Sequence, residues 1–264
     1  MRILILGDVV GRPGRRAVRD LVPPFVKEEG IDLVIANAEN AAGGMGVDVK
    51  SAEELLSAGV NVLTSGNHIW KKKEIYAYLE KHPRLLRPAN YPDGAPGRGW
   101  LEWQNDECRA LIVNVQGRVF MPSNVDDPFR CVDAILREHG HYSPVVIVDV
   151  HAEATSEKYA MGWFLDGRVS VVFGTHTHVQ TADERILPRG TAYITDLGMC
   201  GPMDSVIGIE REAVIEGFLS QLPRKFDVAQ ENVVLQGIVL DVDESTGKAR
   251  DIGRIRIPWT RLDA

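Results

Sequence analysis

Residues 169–178 read VSVVFGTHTH, an apolar run that ends in a glycine, a threonine and two imidazoles. Four other apolar runs are also followed by carboxylate, amide or imidazole side chains, at residues 3–6, 33–36, 60–63 and 145–150. Short runs rich in Val, Ile and Leu are typical of strands buried on both faces of a sheet. Ligands of open α/β sheets bind at the carboxyl ends of the strands. We therefore expect these polar residues to lie along one edge of the sheet.

Helical patterns alternate with the apolar runs, at residues 15–29, 51–58, 72–81 and 128–138. A sixth apolar run covers residues 192–194, and two turn sequences at residues 105–107 and 243–247 predict hairpins. Strands that alternate with helices indicate an α/β fold with a largely parallel core. We predict two packed mixed β-sheets flanked by helices, in a single domain over residues 1–264.

The charge, hydropathy and cysteine content of the chain indicate which binding partners and which cellular compartment to expect. The net charge of −7 argues against binding to duplex nucleic acid. The first apolar run ends at Asp8, and no apolar stretch reaches the length of a membrane span. The three cysteines, Cys108, Cys131 and Cys200, form no CxxC pair and are expected to be buried apolar residues of a cytoplasmic protein. The sequence leaves open whether the chain forms a homo-oligomer.

Seven side chains at the strand ends form a candidate metal-ligand set. They are Asp8, Glu39, Asn40, Asn67, His151, His176 and His178. Each alone could be a helix cap, a turn residue or a buried histidine, but their recurrence at five strand ends favours a metal. Mixed oxygen and imidazole ligands suit iron, manganese or zinc better than calcium. Seven ligands are too many for one catalytic ion and about right for two ions that share a carboxylate.

The remaining histidines, a glycine-rich loop and three arginines can be interpreted without a metal. His139 and His141 precede a strand, so we expect them to be surface loop residues at the opposite sheet edge. His82 is expected near the end of a helix. The glycine-rich loop at residues 7–14 lacks the Lys-[Ser/Thr] element of a P-loop. Its neighbourhood also contains three arginines that could face either a substrate phosphate or solvent, namely Arg12, Arg15 and Arg16.

The strand-end motifs resemble the calcineurin-like metallophosphoesterase superfamily. The matching motifs are Gly7-Asp8, Gly66-Asn67-His68, His151 and residues 174–178. Val10 stands where that superfamily has a histidine, and Glu39 stands at the position of its bridging aspartate. This variant pattern is similar to the YmdB-type family of bacterial metallophosphoesterases. Further similar stretches lie at residues 36–40, 87–92, 151–158 and 195–199.

The resemblance implies a metallophosphoesterase-like sandwich and phosphodiesterase activity, with 2′,3′-cyclic nucleotides as the favoured substrates. It implies two iron or manganese ions, with zinc as a further option, and a metal-bridging hydroxide as the nucleophile. One ion would be held by Asp8, Glu39, Asn40 and His178. The other would be held by Glu39, Asn67, His151 and His176. His68 would act as the general acid, with Thr177 and Asp196 supporting the ligands.

Three alternatives remain open at this point. The chain could be a phosphomonoesterase of broad specificity. It could also be a regulatory partner protein in RNA turnover that retains the metal fold. A mononuclear zinc hydrolase would use only part of the ligand set. The sequence specifies neither the physiological substrate nor the native metal.

Overall fold

The computed structural model describes residues 1–260, which form two six-stranded mixed sheets and six α-helices. The strands of the first sheet are β1 (Arg2–Val9), β2 (Leu33–Asn37), β3 (Val62–Thr64), β10 (Met199–Pro202), β11 (Val233–Val242) and β12 (Ala249–Pro258). Their spatial order is β12-β11-β10-β1-β2-β3. The pairs of β1 with β2, β2 with β3 and β1 with β10 are parallel, and β11 pairs antiparallel with its neighbours.

The second sheet has a parallel centre with an antiparallel strand at each edge. Its strands are β4 (Trp100–Gln104), β5 (Arg109–Gln116), β6 (Val146–His151), β7 (Val171–Thr175), β8 (Arg185–Ile186) and β9 (Ala192–Ile194). Their spatial order is β4-β5-β6-β7-β9-β8. The two predicted hairpins are the pairs β4 with β5 and β11 with β12.

The helices lie outside the two sheets. They are α1 (Gly11–Glu29), α2 (Val49–Ser57), α3 (Ile75–Lys81), α4 (Pro128–His139), α5 (Thr155–Leu165) and α6 (Arg211–Ser220). Alternate residues of β1 explain the layering: Leu4 and Leu6 pack with the helices, while Ile3 and Ile5 pack into the core between the sheets. A third core lies between the second sheet and the helices α4 and α5. The predicted α/β fold of two packed mixed sheets is confirmed.

Several boundaries differ from the sequence prediction. The run at residues 60–63 forms a strand only from Val62, and the strand in the run at residues 169–173 begins at Val171 and continues to Thr175. Asp8 lies within β1 rather than after it, because Asp8 is paired with Met199 on one side and Asn37 on the other. Asp8 is therefore held in regular sheet, which restricts its movement.

The predicted helix over residues 15–29 begins earlier, at Gly11, and passes through Pro23 and Pro24. Proline in a helix interior normally breaks the helix because a backbone hydrogen bond is lost. Here both prolines are exposed, while Val18 and Val22 on the opposite face are buried. Tertiary packing therefore outweighs the local penalty. The predicted helix at residues 72–81 is shorter, and α5 and α6 were not predicted.

One histidine prediction is wrong. His139 is the last residue of α4 rather than a loop residue, and its ring stacks on Trp100 with centroids 3.7 Å apart. Glu102 Oε1 lies 3.1 Å from His139 Nδ1, so the side chain at the end of the helix contacts both Trp100 and Glu102. His141 is exposed, and His82 follows α3 directly. No helix within residues 1–260 is long and apolar enough to cross a membrane.

Candidate metal centre

The predicted ligands come together at one edge of the sandwich, although they are spread along the chain from residue 8 to residue 178. Asp8 lies on β1, Glu39 and Asn40 follow β2, Asn67 follows β3, His151 ends β6, and His176 and His178 follow β7. Ligand atoms of Glu39, His151 and His176 lie within 4.8 Å of one another. Parallel strands with neighbouring carboxyl ends explain this convergence.

Glu39 lies at the middle of the cluster and is fully buried. Its Oε1 is 3.1 Å from His151 Nε2 and 3.3 Å from His68 Nδ1, and its Oε2 accepts the backbone N–H of His68 at 3.1 Å. Burial acts to raise the pKa of the Glu39 carboxyl, but the adjacent imidazoles of His151 and His68 hold that pKa well below its usual value. Glu39 therefore presents a negative charge to the cluster at neutral pH.

The first half of the cluster surrounds His151 Nε2. Besides Glu39, this atom has Asn67 Oδ1 at 3.2 Å and His176 Nδ1 at 3.1 Å. Burial acts to lower the pKa of His151, yet the charge of Glu39 raises it to about 9. Burial, together with His151, lowers the pKa of His176 to about 3. Donor atoms of Glu39, Asn67 and His176 thus all lie close to His151 Nε2, which can form only one hydrogen bond. Such crowding is expected at a site where a bound cation would lie between the donors.

The second half of the cluster contains Asp8, Asn40 and His178. Asp8 is fully buried; its Oδ2 accepts the backbone N–H of His176 at 3.1 Å, while its Oδ1 has no hydrogen-bond partner among residues 1–260. His178 Nε2 lies 3.8 Å from that oxygen and 3.0 Å from Asn40 Nδ2. A buried carboxylate oxygen without a partner is costly. A bound cation would satisfy it, so the donor set fits a metal.

Each imidazole of the set is held by its outer nitrogen. His178 Nδ1 lies 2.8 Å from Ile207 O, His176 Nε2 lies 3.2 Å from Glu153 Oε2, and His151 Nδ1 lies 2.9 Å from Thr175 Oγ1. Metal-ligating histidines commonly donate the outer N–H to an acceptor, which leaves the inner nitrogen for the ion. All three histidines of the centre follow this arrangement.

The turn that holds His176 and His178 is strained. Their φ angles of 97° and 64° are positive, which is uncommon for residues other than glycine. Asp196 stabilises the turn by accepting the N–H and O–H of Thr177 at 3.2 Å and 2.7 Å, and it pairs with the buried Lys158 at 2.7 Å. Thr177 and Asp196 thus hold the turn that carries His176 and His178, and their role in supporting metal ligands stays a prediction.

Sequence reasoning missed Asp149, whose carboxyl group is fully buried beside the centre. Burial raises the pKa of Asp149 to about 7. The signal was a carboxylate inside the apolar run at residues 145–150. Glu153 was also missed as a partner of His176. Arg15 is not free for a substrate phosphate, because it pairs with Glu54 at 2.7 Å and donates to Ala41 O.

The chain is similar to known proteins over nearly its whole length. The family model of YmdB-like proteins matches residues 4–255. The 2′,3′-cyclic-nucleotide 2′-phosphodiesterase of Bacillus subtilis strain 168 is 48% identical over 257 residues, which cover 97% of each chain. A hypothetical protein from Thermus thermophilus has a similar crystal structure, with 44% identity, a TM-score of 0.92, and coverage of 98% of this chain and 99% of that chain. A novel phosphatase from Mycoplasma pneumoniae is 38% identical, with a TM-score of 0.92 and coverage of 98% and 93%. The chain therefore belongs to the family of YmdB-like proteins.

Proposed function

We propose that this protein is a binuclear metal-dependent phosphodiesterase that hydrolyses cyclic nucleotides, with 2′,3′-cyclic nucleotides favoured. Its class, a phosphoric ester hydrolase, is that of its relatives from Bacillus subtilis and Mycoplasma pneumoniae. The observation that carries the proposal is the position of Glu39, which lies beside both halves of the cluster: its Oε1 is 3.1 Å from His151 Nε2 and 3.4 Å from Asn40 Nδ2. One carboxylate between two donor sets is what a pair of ions requires.

Each half of the cluster would hold one ion, with Glu39 shared. The ion of the first half would be held by Glu39, Asn67, His151 and His176, and the ion of the second half by Asp8, Glu39, Asn40 and His178. Asn40 would turn its amide oxygen toward the centre, since Oδ1 now lies 2.9 Å from His68 Nδ1. Iron or manganese suits this set best, and zinc is an alternative. When bound, the ions would supply a hydroxide nucleophile at neutral pH and neutralise charge on the phosphoryl oxygens.

The chain itself contributes orientation and a proton donor. The backbone N–H of His68 and the imidazoles around Glu39 keep that carboxylate ionised and in place. His68 is partly exposed, with 22% of its side chain accessible, and its Nδ1 lies 3.3 Å from Glu39 Oε1. Its Nε2 forms no hydrogen bond with residues 1–260. We propose that His68 Nε2–H protonates the leaving alkoxide, because this atom is the part of the ring left for the substrate.

Replacing His68 with alanine is expected to spare metal content and slow turnover by roughly a hundredfold for an alkoxide leaving group. Nitrophenolate needs no protonation to leave, so kcat on bis-nitrophenyl phosphate should fall much less. The comparison is kcat on 2′,3′-cyclic AMP against kcat on bis-nitrophenyl phosphate, with His82→Ala at the end of α3 as the control. An equal loss on both substrates, or none on the cyclic nucleotide, would remove the general-acid role.

The proposal as a whole is tested by metal analysis joined to a substrate panel. The purified protein should contain about two ions per chain and should hydrolyse 2′,3′-cyclic AMP faster than 3′,5′-cyclic AMP or p-nitrophenyl phosphate. Preference for the monoester would favour a broad phosphomonoesterase. One zinc ion per chain would favour a mononuclear hydrolase, and inactivity with every metal would favour a regulatory protein.

A further inference from the structure

A buried chain of hydrogen bonds leads from the candidate centre into the second sheet. His151 Nδ1 lies 2.9 Å from Thr175 Oγ1, and the Thr175 hydroxyl donates to Asp149 Oδ1 at 2.8 Å. All three side chains are fully buried. The sheet register produces this contact, because His151 and Thr175 are paired across β6 and β7. Asp149 precedes His151 by two positions and so projects from the same face.

The neighbours of Asp149 set the direction of these hydrogen bonds. Asp149 Oδ2 accepts the hydroxyl of Thr64 at 2.5 Å and the amide of Asn37 at 3.3 Å, while Oδ1 accepts the hydroxyl of Thr175. A threonine hydroxyl has a single proton. Once that proton is donated to Asp149, only lone pairs of Thr175 Oγ1 face His151. When Asp149 is ionised, the proton between His151 and Thr175 therefore belongs to His151 Nδ1.

We infer that Thr175, oriented by Asp149, is a positioning residue that fixes the Nδ1–H tautomer and the ring plane of His151. The inference rests on the proposed metal-dependent function. With one proton held on Nδ1, the proton of Nε2 is the one that the ion would displace, and the lone pair of Nε2 would then face Glu39 and His176. In many metal sites a carboxylate accepts the outer N–H of histidine directly. In this chain a threonine hydroxyl is inserted between the imidazole and the carboxylate.

The position of Asn37 explains why a hydroxyl group is needed at position 175 to keep the proton on His151 Nδ1. Asn37 Nδ2 lies 3.5 Å from His151 Nδ1 and 3.4 Å from Thr175 Oγ1. Without the hydroxyl, the hydrogen-bonding neighbour left to Nδ1 among residues 1–260 is this amide N–H, which is a donor. It would favour a lone pair on Nδ1 and a proton on Nε2, the nitrogen that faces the metal. Loss of one hydroxyl would thus favour the tautomer that cannot bind the ion.

The test compares Thr175→Val, which keeps the shape of the side chain, with Thr175→Ser, which keeps the hydroxyl. The affinity of the metal-free protein for Mn²⁺ and Zn²⁺ is measured by competition with a chromophoric chelator. We expect Thr175→Val to weaken the binding of one metal equivalent by about 10- to 100-fold, and Thr175→Ser to stay within about threefold of wild type. In the Zn²⁺-loaded protein, ¹H–¹⁵N spectra should show an exchange-protected His151 Nδ1–H in wild type and Thr175→Ser but not in Thr175→Val.

Thr191→Val is the matched control. Its hydroxyl is buried and donates to Val169 O at 2.7 Å, at the amino-terminal side of β9, far along the sheet from the strand ends of the centre. This variant should lose comparable stability and keep metal affinity. Asp149→Asn, which preserves volume, is a second variant if Thr175→Val does not fold, and it should weaken metal binding about tenfold.

The outcomes separate the inference from the proposed function. Wild-type affinity in both Thr175→Val and Asp149→Asn, with the protected Nδ1–H still present, would overturn the inference and leave the metal centre intact. A wild-type protein that binds no metal would overturn the proposed function, and the inference with it. Equal losses in Thr175→Val and Thr191→Val would show that the hydroxyl acts through stability alone and would also overturn the inference.

Discussion

Replacing Glu39 with glutamine is expected to reduce phosphodiesterase activity by roughly a thousandfold or more. The substitution keeps the size of the side chain but removes the negative charge that both halves of the cluster share. It also places an amide N–H2 next to His151 Nε2 or His68 Nδ1, which now lie 3.1 Å and 3.3 Å from Oε1. Both metal equivalents should be lost together, as measured by metal analysis after gel filtration.

Glu157→Gln is the control for this change. Glu157 is also buried, but it accepts the backbone N–H groups of Arg118 and Val119 away from the predicted ligands. That variant should retain two ions. Glu39→Gln should unfold at a lower temperature than the wild type in the presence of a chelator, because the buried ion pair with His151 is lost, but its unfolding should remain cooperative, which would show that the fold survives. Retention of both ions at wild-type affinity in Glu39→Gln would refute the bridging role.

Replacing Gly66 with alanine is expected to have an effect of similar size without any change in charge. A Cβ at position 66 would lie 2.0 Å from His151 Cδ2, 2.1 Å from His151 Nε2 and 2.4 Å from Glu39 Oε2. His151 and Glu39 are both fully buried, so neither can withdraw without repacking the interior. The added methyl group would occupy the space between two proposed ligands. The number of ions bound per chain should fall, and kcat should fall by roughly a thousandfold.

Gly94→Ala is the matched control, because a Cβ at that position meets nothing within 4 Å. It should leave metal content and activity unchanged. Gly66 is not among the residues with positive φ, so the glycine is required by space rather than by backbone conformation. Normal metal binding in Gly66→Ala would show that the site relaxes more easily than its packing indicates.

Much of the fold was predictable because buried parallel strands have a local signature. Val, Ile and Leu in short runs identified β1, β2, β6 and β7, and the alternating helices identified the layers. Errors arose where tertiary contacts overrode local preference. The helix α1 continues through Pro23 and Pro24 because its other face is buried, and His139 joins α4 because its ring stacks on Trp100.

The candidate ligands were predictable for a related reason. A polar side chain directly after an apolar strand is placed at the sheet edge by the strand itself, whatever its partners are. The contacts of Asp149 were not predicted because it lies inside a strand, where sequence pattern predicts burial but not contact. Thr175 follows the apolar run with the histidines, but the sequence does not show that its hydroxyl contacts Asp149 and His151. Lys158 likewise gives no sign in the sequence that it pairs with Asp196, since the two are 38 positions apart.

The sequence by itself therefore determined three things about the candidate centre. It showed which residues stand at strand ends, which of them are oxygen or imidazole donors, and which family they resemble. The tertiary structure alone decided how those donors face one another. His176 receives its contact with Asp8 across 168 positions, and His151 its hydrogen bond with Thr175 across 24. Such contacts depend on strand register and layer packing, which are set by the whole core and not by any local stretch. Which nitrogen of each histidine faces the centre is consequently a property of the fold.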